Sequence, residues 1–173
     1  AIAYLSEIEF YKDSKELLAL CQKRLDALTI YDTLMYVGDF QGAVELLKDA
    51  GITEISIPDG VTTIPENSFS GWTGLVYVFF NRVTNIGPSA FEGCTGLVNF
   101  YLYDVAYIDS SAFRDATSLT SVGFGNTLQY IGPSAFEDCT KLESVRMSPN
   151  VDFIPRQAFN NCKSLSEFEW NSN

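Results

Sequence analysis

Apolar residues fall into three columns along most of this chain. Phe69, Phe91, Phe113, Phe136 and Phe159 recur at spacings of 22, 22, 23 and 23 residues. Ile64, Ile86, Ile108, Ile131 and Ile154 keep step with them, as do Leu75, Leu97, Leu119, Leu142 and Leu165. The segments VTTIPENSFSGWTGLVYVFF, VTNIGPSAFEGCTGLVNFYL, VAYIDSSAFRDATSLTSVGF, LQYIGPSAFEDCTKLESVRM and VDFIPRQAFNNCKSLSEFEW superimpose without gaps. Such a period marks a repeat array, in which no unit can bury its own apolar side and neighbours stack to share one core.

Within a unit, Leu97, Phe100 and Leu102 fit L-x-x-F-x-L, whose final alternation marks a strand with one buried face. Val105 to Ile108 forms a second, shorter extended piece. Pro88 or Pro133 then predicts a short helical turn, because a proline at the first helical position loses no needed N–H. Ser68, Ala90, Ala112, Ala135 and Ala158 precede the phenylalanines, as expected where the chain faces a packed interior. Ile52, Ile55 and Ile57 stand 23 residues before Leu75, Val78 and Phe80 and predict a leading strand. Residues 52–173 therefore read as five repeats with a leading strand.

Residues 1–51 read as an N-terminal helical cap or hairpin. Asp13 with Glu16 resembles a capping box, and Leu17, Leu18, Cys21, Leu25 and Leu28 follow at helical spacing. Asp39 is placed to cap a second helix carrying Ala43, Val44, Leu46 and Leu47, with Gly51 ending it in the left-handed conformation. The stretch VGDFQGAVELLKDAG is similar to half of a tetratricopeptide unit. A solenoid must cover its first core layer, so a cap is the leading reading; the last turn of an upstream helical repeat domain is the other.

The repeated I-x-x-x-A-F-x-x-C-x-x-L-x-x-V-x-L, with IGPSAFEGCT and IGPSAFEDCT nearly verbatim, resembles the BspA-type leucine-rich repeat family over about 120 of the 173 residues. That family occurs in surface proteins of gut and oral bacteria and in some parasitic protists. The resemblance implies an α/β repeat solenoid, a leucine-rich-repeat-like right-handed stack of strand, short strand and helical turn. It also implies use in adhesion or protein recognition, and a cell-surface or secreted location, with a cytoplasmic one left open. It brings no ligand and no catalytic residues. Trp72 and Ala116 stand where the pattern has Cys, and Ser68 where it has Ala.

Charge narrows the partners. Twenty-two acidic against eleven basic residues give a net charge of −11, which repels phosphate backbones and anionic lipid. Nucleic acid is thus not an expected partner. The longest apolar run, Leu75 to Phe80, is far short of the roughly 20 residues a bilayer requires, so no membrane insertion is expected. AIAYLSEIEFYKDSK lacks a basic-then-apolar leader. Because the chain opens at Ala1 and stops at WNSN after a strand-like stretch, it is expected to be an excerpt of a longer protein or a processed product. We expect a soluble monomer.

The chain has no histidine, which removes the usual general base near neutral pH and the commonest metal ligand. GNT and GPSAF lack the spacing and lysine of a phosphate loop. Glu137 with Asp138, and Glu167 with Glu169, adjoin apolar anchors and read as solvated faces. Cys94, Cys139 and Cys162 occupy one column shared with Trp72 and Ala116, which marks them as buried free thiols. A column spreads its members along the axis, whereas zinc needs convergence. Only Cys139 and Cys162 are close enough to pair, and their side chains should run parallel. No enzyme activity, metal or cofactor is expected.

What remains is the outward face of the strands. Tyr77, Phe79, Asn99, Tyr101, Tyr103 and Arg146 are the candidate binding residues on the long strands, and Tyr107, Tyr130 and Phe153 form a second column after Thr63 and Asn85 on the short ones. Grouped exposed aromatics favour a contact site. The alternative role is a cross-strand ladder that stabilises the sheet by roughly 0.2–1 kcal/mol per pair. The expected partner is an unidentified protein or glycan. A different class of function, a structural spacer or regulatory segment of a larger protein, is the competing reading.

Overall fold

The computed structural model describes residues 14–170. Helix α1 (Ser14–Val37) and helix α2 (Phe40–Asp49) come first, joined through Gly38 at φ 82°. The Asp39 carboxylate accepts the Gly42 N–H at 2.9 Å and caps α2, and Gly51 ends it at φ 65°. Both follow the sequence. Ala43, Val44 and Leu47 are buried, and Phe40 meets Phe69 edge-on at 6.3 Å, so α2 closes the core of the first repeat. Tyr31 donates to Ser56 O at 3.2 Å and ties α1 to the first strand.

The face of α1 differs from the leucine stripe read in the sequence. Ala27, Tyr31 and Met35 are buried, whereas Cys21, Leu25 and Leu28 are exposed. Asp13 and the side chains of Leu17 and Leu18 lie outside the described residues.

The repeats build three sides. Long strands β1 (Glu54–Ile57), β3 (Tyr77–Phe80), β5 (Asn99–Leu102), β7 (Ser121–Phe124), β9 (Ser144–Met147) and β10 (Glu167–Trp170) lie parallel. Short strands β2 (Thr63–Ile64), β4 (Asn85–Ile86), β6 (Tyr107–Ile108) and β8 (Tyr130–Ile131) form a second parallel sheet. Phe153 and Ile154, expected to add a fifth short strand, do not pair: Ile154 is only partly buried, and no following turn covers it among the described residues. The long sheet is divided as well. β1 pairs with β3, and β5, β7, β9 and β10 pair together, while between the β3 and β5 segments Val98 N donates to Val76 O at 3.2 Å.

The third side is not the helical turn that Pro88 and Pro133 predict. It is a run of tight turns with two columns of left-handed residues. One column is Asn67, Ser89, Ser111, Ser134 and Gln157; the other is Gly71, Gly93, Asp115, Asp138 and Asn161. This backbone lets alternate N–H groups leave the turn and reach the next repeat: Phe69 N to Ala90 O, Phe91 N to Ala112 O, Phe113 N to Ala135 O and Phe136 N to Ala158 O are each 2.8 Å. A helix would have turned those donors inward, leaving the stacked units unstitched on this side.

Between the sides runs the core. The five phenylalanine rings stack in sequence at 4.9, 5.2, 5.2 and 5.3 Å, nearly parallel. The cysteine column packs beside them as free thiols, as the sequence indicates, with Cys94 and Cys139 buried and Cys162 half-buried. Each also bonds to the previous turn. Cys94 Sγ donates to Phe69 O at 3.1 Å, Cys139 Sγ to Phe113 O at 3.2 Å and Cys162 Sγ to Phe136 O at 3.1 Å. Burial pushes the Cys94 thiol up to about 12 and Cys162 to about 11, and raises Cys139 further. These thiols stay protonated at neutral pH, which suits donors and not nucleophiles.

Candidate aromatic binding faces

Alternation along the long strands aims every second side chain away from the core. In β3 this exposes Tyr77 (39%) and Phe79 (57%), and in and just after β5 it exposes Tyr101 (59%) and Tyr103 (67%). These values are large for rings of this size and place all four on the surface. Tyr101 and Tyr103 lie parallel with centroids 5.7 Å apart. Their rings form a small platform beside the junction between β3 and β5, and the Tyr77 and Phe79 side chains lie across that junction.

The platform depends on its neighbour. Gly123 occupies the register position next to Tyr101 in β7, and a Cβ built there would lie 2.8 Å from Tyr101 Cδ1. The missing side chain lets the tyrosine ring lean over the strand. It also opens a cleft of about 190 Å³ whose far wall carries Ser144, Arg146, Glu167 and Glu169. Arg146, read as a candidate contact, is exposed and lies with its Nε 3.6 Å from Glu169 Oε2. Screened by solvent, such a pair contributes about 0–1 kcal/mol.

Asn99 has a different situation. Its Oδ1 accepts Thr120 Oγ1 at 2.6 Å, Ser121 N at 3.2 Å and Ser121 Oγ at 3.2 Å, so the carbonyl is committed to the next turn. The second column is less uniform than its spacing suggested. Tyr107 and Tyr130 are register partners, both exposed, and Tyr107 donates to Gln129 Oε1 at 3.0 Å. Phe153 is 73% exposed and stands beyond the last short strand.

A family model for the BspA type leucine rich repeat region matches residues 45–172 in six copies. The chain belongs to that family. Six copies accord with five turns and the leading half-turn. Leucine-rich repeat proteins of solved structure share the architecture. A leucine rich cell surface protein from Faecalibacterium prausnitzii matches with a TM-score of 0.61 at 28% identity over 70% of this chain and 32% of its own. A leucine-rich repeat protein from Bacteroides ovatus matches at 0.60 and 31% identity over 71% and 31%. The leucine rich repeat protein of T. pallidum matches at 0.52 and 28% identity over 68% and 69%. The chain spans about a third of the length of the first two. No curated protein matches it.

Repeat proteins of the BspA type are generally not enzymes, and the family points to a protein-binding repeat module. On the turn side, hydrogen bonds from Asn160 and Ser134, with Arg114 nearby, hold the Glu137 carboxyl below its usual range. Asn161 Nδ2 donates to Asp138, its counterpart in the preceding turn. These carboxylates brace adjacent turns. Gly123 falls among the outward residues in the column reading but not among its candidate binding residues. Its signal was present: it is the glycine in an outward column otherwise filled by Ser56, Phe79, Tyr101, Arg146 and Glu169.

Proposed function

We propose that this chain is a non-enzymatic protein-binding module that recognises its partner through the aromatic surface of the long strands, formed by Tyr77, Phe79, Tyr101 and Tyr103. The observation that carries the reading is the parallel pair Tyr101 and Tyr103, both more than half exposed on a rigid strand support. Tyrosines offer large contact area at small entropic cost, and clusters of them are where interface energy concentrates. Use at a bacterial cell surface, in an adhesin-like role, is supported by the F. prausnitzii relative described as a cell surface protein.

Tyr101→Ala/Tyr103→Ala tests the reading. Two exposed rings do not hold the fold, so circular dichroism should match the parent, and loss of an aromatic pair of about 0.5–1.5 kcal/mol should lower Tm by no more than a few degrees, at about 2–4 °C per kcal/mol. Binding to the partner recovered by pull-down should weaken at least about 30-fold, the equivalent of one hot-spot residue at about 2 kcal/mol. Unchanged affinity in a folded variant would sink this choice of face.

A further inference from the structure

We infer that the cleft over Gly123 receives a lysine or arginine side chain of the protein partner, an inference that rests on the protein-binding reading above. The cleft runs across β5, β7, β9 and β10 in that order. Tyr101 forms one wall, Gly123 the floor, and Glu167 with Glu169 the other wall, with the Ser121 and Ser144 hydroxyls lining the space between. Three strand steps separate Tyr101 from Glu169, about 14 Å at the usual spacing. That width accommodates a long side chain lying flat.

Charge selects the occupant. Arg146 is the one basic residue in the cleft, and its Nε lies 3.6 Å from Glu169. That pair leaves Glu167 without a basic partner among the described residues. At the opposite end of the aromatic surface Glu54 is the register neighbour of Tyr77. Acids therefore flank the aromatic surface on both sides, on a chain whose net charge is −11. An extended cation fits both walls at once: its head meets Glu167, and its stem or guanidinium plane lies on the Tyr101 ring, which attracts cations through its face. A neutral sugar would stack on the same ring but gain little from the unpaired carboxylate. An acidic peptide would be repelled.

The test probes an array of random 12-residue peptides with the purified 173-residue chain. Four forms are compared: the parent, Glu167→Gln/Glu169→Gln, Asp32→Asn/Glu45→Gln and Tyr101→Ala/Tyr103→Ala. Bound peptides should be enriched several-fold in lysine and arginine with the parent. The enrichment should vanish with Glu167→Gln/Glu169→Gln and persist with Asp32→Asn/Glu45→Gln, which removes the same charge from the helical cap. Loss of enrichment in both charge variants would show bulk attraction alone and overturn the inference. So would bound peptides without basic bias, or binding to an array of neutral glycans in place of peptides. Non-basic peptides that bind the parent and are lost with Tyr101→Ala/Tyr103→Ala would leave the aromatic face standing while removing the cation. Peptides retained by that last variant would remove both.

Discussion

Gly123 and Gly125 lie two residues apart and should respond differently to the same change. An ideal Cβ at Gly123 lies 2.8 and 3.0 Å from Cδ1 and Cε1 of Tyr101, the ring of an exposed side chain that can swing away. Gly123→Ala then gains about 0.5–1 kcal/mol, the usual advantage of alanine over glycine within a strand. It loses the contact between Tyr101 and Tyr103, about 0.5–1.5 kcal/mol for an aromatic pair. The two nearly cancel, and unfolding free energy should stay within about 1 kcal/mol of the parent. At Gly125 the Cβ would lie 2.1 Å from the Tyr103 carbonyl oxygen, which is backbone and cannot step aside. Gly125→Ala should therefore cost about 1–3 kcal/mol, as overpacking does, lowering Tm by several degrees at about 2–4 °C per kcal/mol for a chain of this size. Urea titrations followed by circular dichroism measure both costs, and binding assays measure the separate consequence: Gly123→Ala keeps the fold but displaces the platform and fills the cleft, so affinity should fall. Equal destabilisation by the two alanines, or full binding by Gly123→Ala, would refute the steric reasoning.

The phenylalanine stack makes a second pair. Phe113 is fully buried and stacks on Phe91, Phe136 and Phe100, so Phe113→Ala should cost about 3–5 kcal/mol and uncouple the two halves of the array. Phe159 is only partly buried and should cost clearly less in the same urea titration, with Phe113→Leu giving an intermediate value. Alkaline stability follows from the thiols. The folded values of Cys94 and Cys162, up to about 12 and about 11, exceed the unfolded value near 8.5, so their stabilisation is complete below about pH 8.5 and is lost as pH rises through the folded values. The predicted slope is about 1.4 kcal/mol per pH unit for the buried Cys94 across that window and smaller for the half-buried Cys162, and Cys94→Ala should reduce it in unfolding titrations from pH 8 to 11.

The repeat, its register and its core were legible because three apolar columns report one geometry independently, and burial of Ile, Phe and Leu at fixed spacing admits few arrangements. The turn side was less so. Proline followed by Ala-Phe looks like a helix start, yet the column Gly71, Gly93, Asp115, Asp138 and Asn161 contains only residue types that tolerate positive φ, a signal of left-handed backbone. The outward face of α1 misled for another reason. Its leucines obey helical spacing, but periodicity gives the stripe without saying which neighbour covers it, and α2 covers the stripe with Ala27, Tyr31 and Met35. At the candidate site, exposure of the tyrosines follows directly from alternation. The tilt of Tyr101 and the commitment of Asn99 do not, since both depend on what the adjacent turn places at the neighbouring register position.

The corner between the two sheets has four residues after β3 and β5 but five after β7, and Ile154 likewise stands one residue further from β9 than Ile108 does from β5; this accounts for the change from 22 to 23 in the repeat. The phenylalanine rings keep their spacing through the change. Side chains bridge the uneven corners, as where Thr127 Oγ1 donates to Tyr103 O at 2.7 Å. Length is thus a free variable at this one place. Closing a longer loop costs only about 0.6 kcal/mol for each doubling, so grafted segments inserted after Asp104 or Asn126 should leave the stack intact. Recognition elements can then be exchanged along one edge of the solenoid, turn by turn, without redesigning what holds it together.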